Sequence, residues 1–249
     1  MTYDIFIPCA EKDQVNLDIV LEKIFKNLSF NEIYVCSPNK IKHRFTSDGK
    51  VNFLLDGDVF PYDRSKISFR PNWTYQQILK MFFNKGSEDY YLSVDADVFF
   101  LKPMDWFEEG KPIWRYGEDQ MHNPYFLCNQ QFFGLRRSLE HTGIGDIGFF
   151  NKKICNNFLE YCNVENPEKF LDLFASRITP YCQFSEFETY ANYVNEFYPD
   201  MYKFKRVNFR KEGRRLDFGQ CWKPGELRSL VQESEGLDFE VLQAHTWKI

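Results

Sequence analysis

Apolar runs of strand length alternate with amphipathic stretches through the first hundred residues. Residues 3–8 (YDIFIP) read as a first strand, and residues 14–28 follow with Leu17, Val20, Leu21, Ile24 and Leu28 on one helical face. Residues 32–36 (EIYVC) are a second strand, stopped by Ser37-Pro38-Asn39, and residues 51–55 a third. Residues 73–83 read as a helix opened by Thr74 and Gln77 as a T-x-x-Q capping box, with Trp73 and Ile78 placed to staple its start. Residues 90–94 are then a strand apolar enough to be covered on both faces. Strands and helices in this alternation predict a mostly parallel sheet flanked by helices.

Beyond residue 103 the pattern is mixed. Short strands are expected over 112–116 (PIWRY) and 131–135 (QFFGL). Helices are expected over 151–163, 167–178 and 185–197, the second opened by Asn166-Pro167, and a late strand over 239–244. Neither a repeat nor a low-complexity linker nor a composition break interrupts the chain, so the expectation is an α/β fold in one domain over residues 1–249.

Composition narrows the class. Hydrophobic residues are 43% of the 249 and aromatics 18%, enough for a sizeable core and too many for a disordered chain. Apolar runs stay well short of a membrane span, and the amino-terminal residues lack a basic leader with a cleavage pattern. Seven scattered cysteines without a C-x-x-C pair fit reduced thiols and a cytoplasmic setting, and weigh against a disulfide scaffold or structural zinc. The sequons at Asn27 and Asn72 carry no weight without a secretion signal. Net charge is −5, yet residues 203–215 hold seven basic side chains against Glu212 alone. Such a run is either a solvated loop or strand edge, or a binding site for a diphosphate, an acidic acceptor or nucleic acid.

The stretch YYLSVDADVFFLKP, residues 90–103, sets the chemical problem. Asp95 and Asp97 interrupt an apolar run, and a buried carboxylate without a partner is strongly disfavoured. Either they stand at the exposed carboxyl end of the strand, where ligands bind in α/β sheets, or a positive charge lies between them. A divalent cation satisfies both conditions.

With a first strand ending in IPCAEKD, and LSVDADVFFLKP after several strand–helix units, the chain resembles nucleotide-sugar glycosyltransferases of the GT-A type. RPNWTYQQILKM, DADVFFLKP and SEFETYANYV further resemble a group of poorly characterised bacterial and phage glycosyltransferase-like proteins. The resemblance implies a single GT-A, Rossmann-like domain. Residues 1–103 would be its nucleotide-sugar-binding half and 104–249 a mixed acceptor-side half. It implies Mn²⁺ or Mg²⁺ as cofactor and a nucleotide-diphosphate sugar as donor. Asp97 would bind the metal directly, Asp95 would stand nearer the ribose or a metal-bound water, and His245, just after the last predicted strand, would be the third ligand. Nucleotide contacts would come from Pro8, Cys9, Ala10 and Lys12, with Arg70 and Trp73 lining the donor site. Asp13 reads equally as a helix N-cap.

For acid–base work the best candidate is Glu186, at the start of a helix and free to project if Glu188 is occupied in an S-x-x-E box with Ser185. The plainer reading of Glu186 is a carboxylate favoured by the helix dipole. His141 and Asp146, in the glycine-containing segment EHTGIGDIGFF, are assigned to the acceptor side, with Asp146 a second catalytic candidate beside Glu186. Arg210, Arg214 or Arg215 would meet the diphosphate or an acidic acceptor. Asp56 and Asp58 flank Gly57 and read as a turn. The acceptor expected is a glycan or glycolipid precursor, with a modified DNA base as an alternative motivated by the basic segment. A non-catalytic nucleotide- or carbohydrate-binding module is a further alternative. P-loop, G-x-G-x-x-G and G-x-S-x-G motifs are all lacking. Peripheral membrane association is compatible with the surface aromatic and basic residues, and oligomeric state is not read from the chain.

Overall fold

The computed structural model describes residues 1–39, 49–117, 122–215 and 222–247. Its central sheet has the order β3-β2-β1-β4-β8, from β1 (Asp4–Pro8), β2 (Ile33–Ser37), β3 (Val51–Leu55), β4 (Tyr90–Val94) and β8 (Ile147–Asn151). The first four are parallel and β8 closes one edge antiparallel to β4. Every residue of β1 is buried, which suits its central place. One smaller sheet joins β10 (Phe209–Arg215), β11 (Val241–Trp247) and β5 (Val98–Phe100), and another joins β6 (Phe107–Glu108), β7 (Lys111–Tyr116) and β9 (Lys203–Arg206). The helices are α1 (Leu17–Asn27), α2 (Asp56–Val59), α3 (Pro71–Met81), α4 (Asn123–Phe133), α5 (Lys152–Tyr161), α6 (Pro167–Asp172), α7 (Glu186–Phe197) and α8 (Pro224–Glu235). No helix among the described residues is long and apolar enough to cross a membrane.

From β1 the chain lays β2 and β3 to one side, then returns to place β4 on the other. Strand order therefore reverses between β1 and β4, and in such sheets the ligand crevice opens at the carboxyl ends of those two strands.

Several boundaries differ from the sequence expectations. Residues Glu11–Asp13 form a 3-10 turn, so α1 starts at Leu17 and Asp13 is not its cap. Helix α3 begins at Pro71, behind Arg70 in a left-handed conformation (φ 47°). Thr74 thus lies inside the helix, its hydroxyl donating to the Phe69 carbonyl, and the T-x-x-Q box does not form. Residues 131–133 are the last turn of α4 rather than a strand, and the helix stops at Gly134 (φ 64°), a conformation glycine adopts without steric cost. The helix expected over 167–178 ends at Asp172. Strands β5 and β8 and helix α8 were not foreseen. The apolar core is rich in aromatic rings: Trp114 stacks on Tyr190 (centroids 5.3 Å apart), and Phe150 packs edge-on against Tyr190 at 4.7 Å, fixing α7 against β7 and β8.

Candidate active site

The apolar run of residues 90–101 is not one strand. Strand β4 ends at Val94, Asp95-Ala96-Asp97 turns with the Val98 N–H donating to the Asp95 carbonyl (3.1 Å), and β5 leaves into the small sheet. Both aspartates therefore stand at the carboxyl end of β4. Strand β5 pairs antiparallel with β11, Val98 opposite Gln243, and the Ala244 N–H donates to the Asp97 carbonyl (2.9 Å). That register brings His245, the next residue, beside Asp97, with Nδ1 2.9 Å from Oδ2. His245 lies within β11 rather than after the last strand, because the strand runs three residues past its expected end. The Asp97 hydrogen bond pushes the imidazole pKa up. The other Asp97 oxygen, Oδ1, is buried and has no hydrogen-bond partner among the described residues.

A cavity of about 560 Å³ opens at the switch point. Its wall includes Pro8, Cys9, Ala10 and Lys12 from the loop after β1, Arg70 and Trp73 at the start of α3, and Asp95, Asp97 and His245. All nine are residues singled out in the sequence. The volume lies within the ordinary range for small-molecule and cofactor sites. Arg70 lies 4.3 Å over the Trp73 ring, and Trp73 stacks on Tyr125 with centroids 6.0 Å apart. Asp13 also lines the cavity; burial pushes its carboxyl up to about 6 although Lys12 sits 3.0 Å away. At the β3 end, Asp56 is ion-paired with Arg64, whose guanidinium lies 4.0 Å over the Tyr75 ring. The ends of β3 and β4 are three strand spacings apart, roughly 14 Å.

Glu186 requires correction. Its side chain does not project freely: it is fully buried, and Oε1 lies 2.5 Å from the Lys80 ammonium. Lys80, itself 3% exposed, also donates to Asp95 Oδ1 at 3.1 Å. Burial pushes the Glu186 carboxyl up to about 7 against the pull of Lys80. Neither Glu186 nor Asp146 belongs to the cavity wall. Asp146, one residue beyond the Val94–Ile147 pair, stands near Asp95 and is salt-bridged to Lys211 at 2.8 Å. His141 stacks on Tyr116 with ring centroids 3.6 Å apart. Glu188 is structural, as expected, but by another route. Ser185 Oγ accepts from the Glu188 N–H, whereas the Glu188 carboxylate accepts from Thr142 Oγ1, the Gly143 N–H and Asn192 Nδ2.

The basic segment is largely matched with acids. Lys203 pairs with Glu108 and Glu109, Lys205 with Glu108, Lys211 with Asp146, and Arg210 with Glu212 and Glu233. Arg210 is not part of the cavity wall. The side chains of Arg214 and Arg215 lie outside the described residues.

Sequence reasoning missed Lys80, Arg64 and Tyr125, and read Asp56 only as a turn residue. For Lys80 a signal exists: Trp73, Gln77 and Lys80 follow one another at helical spacing in an otherwise apolar stretch, IL before Lys80 and MFF after it.

Solved structures share this fold. Galactosyltransferase LgtC in complex with donor and acceptor sugar analogs is 11% identical, with a TM-score of 0.50 over 97% of this chain and 86% of that one. The apo bifunctional glycosyltransferase WbbM is 10% identical, with a TM-score of 0.52 over 97% of this chain and 45% of that one. At such identities the likeness is one of fold, the GT-A glycosyltransferase fold. No curated protein matches the sequence. Residues 15–214 match the model of a family of unknown function, DUF6492, and the chain belongs to that family.

Proposed function

We propose that the protein transfers a sugar from a nucleotide-diphosphate sugar to an acceptor hydroxyl, with Mn²⁺ or Mg²⁺ held at Asp97. The observation that carries this reading is the buried Oδ1 of Asp97, unpartnered among the described residues, beside His245 in the cavity at the switch point. A carboxylate oxygen out of contact with water and without a donor is costly, and a cation relieves that cost. Among the described residues, no three His, Cys, Asp or Glu side chains form a metal cage. Ions of the Mg²⁺ kind are commonly bound by one or two carboxylates plus substrate phosphates and water, so Asp97, Asp95 and His245 fit that partial set. When bound, such an ion neutralises charge developing on a diphosphate leaving group.

The chain's own residues divide the remaining work. Pro8, Cys9 and Ala10 border the nucleoside, Lys12 meets phosphate, and Arg70 with Trp73 borders the donor. Asp146, near Asp95 but outside the cavity wall, is assigned to the acceptor side. The pairing of Lys203, Lys205, Arg210 and Lys211 with acids weakens the case for a nucleic-acid acceptor and favours a glycan or glycolipid precursor.

Products test the reading. The protein is incubated with a panel of nucleotide sugars, Mn²⁺ and glycan or glycolipid acceptors, and the released nucleotide is identified. Free nucleoside diphosphate together with a glycosylated acceptor is the expected result. Pyrophosphate instead would reassign the site to nucleotidyl transfer, and neither product from a nucleotide-binding sample would leave a binding module.

A further inference from the structure

We infer that Lys80 and Glu186 are positioning residues that hold the Asp95 carboxylate in the donor site from behind the cavity wall, touching no ligand themselves. The inference rests on the donor reading above and extends it to two side chains outside the cavity. Asp95 lines the cavity, whereas Lys80 and Glu186 do not. The Lys80 ammonium lies 3.1 Å from Asp95 Oδ1, 2.5 Å from Glu186 Oε1 and 4.4 Å from the centroid of the Phe187 ring. The Asp95 side chain is 25% exposed, so with Oδ1 engaged by Lys80 its accessible part is turned to the cavity.

The two ends of this relay are anchored to adjacent strands, the Lys80 end to β4, which presents Asp95, and the Glu186 end to its neighbour β8. Tyr91, on β4, donates through its hydroxyl to the Lys80 and Met81 carbonyls (2.9 and 2.7 Å), tying the end of α3 to that strand. Glu186 is the first residue of α7, whose start is capped by Ser185, and the next residue, Phe187, stacks on Phe150 of β8. A buried carboxylate–ammonium pair such as Glu186 and Lys80 is a poor way to gain stability, since a well-packed apolar pair of similar volume commonly does as well or better. Fixing the direction of one carboxylate is a task that an apolar pair cannot perform.

The test replaces the pair with apolar residues and asks whether the effect runs through Asp95. Four proteins are compared: wild type, Lys80→Met/Glu186→Leu, Asp95→Asn, and the triple variant. Calorimetry measures the Kd of UDP, GDP, CDP and ADP, each with Mn²⁺, and the melting temperature without ligand serves as the structural control. The expected result is a near-wild-type melting temperature for the double variant with a Kd weakened about 10-fold or more, as for other partners that orient a metal-site ligand. In the Asp95→Asn background the same two substitutions should cost less than about 2-fold, because residues that act through one another are not additive. Should the double variant fail to fold, Glu186→Gln takes its place, with a several-fold loss that also vanishes in the Asp95→Asn background. An unchanged Kd, or a loss that persists undiminished without the Asp95 carboxylate, would overturn the inference and leave the donor reading standing. A wild type that binds none of the four with Mn²⁺ would overturn the donor reading and this inference with it.

Discussion

Glu186 meets no solvent, and its nearest charge is the Lys80 ammonium. Burial raises its carboxyl from 4.5 to about 7. Between those values the folded protein holds a proton that the unfolded chain has released. The resulting stabilisation is complete below about pH 4.5 and is lost as pH rises through about 7. A shift of this size corresponds to about 3 kcal/mol. Denaturant unfolding of wild type and Glu186→Gln at pH 4.5 and pH 8 checks this. The wild type should lose about 3 kcal/mol relative to the variant across that interval; a constant difference would show that Glu186 does not titrate there. At this scale the sequence pointed to Glu186 but not to its surroundings. A glutamate in a helix's first turn looks the same whether it faces an acceptor or a buried lysine, and a lysine inside a helix reads as a solvated position. Only the packing of α3 against α7 decides both.

Elements were most legible where an apolar run of strand length is bounded by turn residues, as for β1, β2 and β3. Boundaries failed where two start signals compete. The Thr74–Gln77 spacing matches a capping box, yet Pro71 starts α3 earlier because Arg70 adopts a left-handed conformation and lies over Trp73. The QFFGL segment was misread because its aromatic run suits a strand as well as the buried face of a helix, and the meaning of Gly134 as a helix stop depends on what precedes it. Helix α7 supplies a test of packing at this scale. A Cβ on Gly143 would stand 2.6 Å from that of Ala191 and 2.9 Å from the Phe187 carbonyl, whereas a Cβ on Gly225 would meet nothing within 4 Å. Gly143→Val should therefore destabilise by about 1–3 kcal/mol or more, also disturbing the loop that Glu188 holds. Gly225→Ala should be close to neutral. Equal unfolding midpoints for the two variants would contradict this account of how α7 is seated.

Across the whole molecule, the site is assembled from segments far apart in the chain: the loop after β1, the start of α3, the turn after β4 and the last strand. Nothing in the local pattern links Asp97 to His245; β11 must pair with β5 in one register for the two to meet. The resemblance to GT-A enzymes nominated that histidine, and periodicity alone did not. By contrast, the place of the cavity follows from strand order, since the loops after β1 and β4 flank the reversal. The most direct test of the central claim is thermal unfolding of wild type and Asp97→Ala with UDP, GDP, CDP and ADP, each with Mn²⁺ or with EDTA. A ligand that binds only the folded state raises its stability in proportion to RT ln(1 + [L]/Kd), so no acceptor need be known. The account predicts stabilisation by at least one nucleotide that requires Mn²⁺ and is absent in Asp97→Ala. Stabilisation that is indifferent to Mn²⁺ or retained in Asp97→Ala, or no stabilisation of folded wild type by any nucleotide, would contradict it.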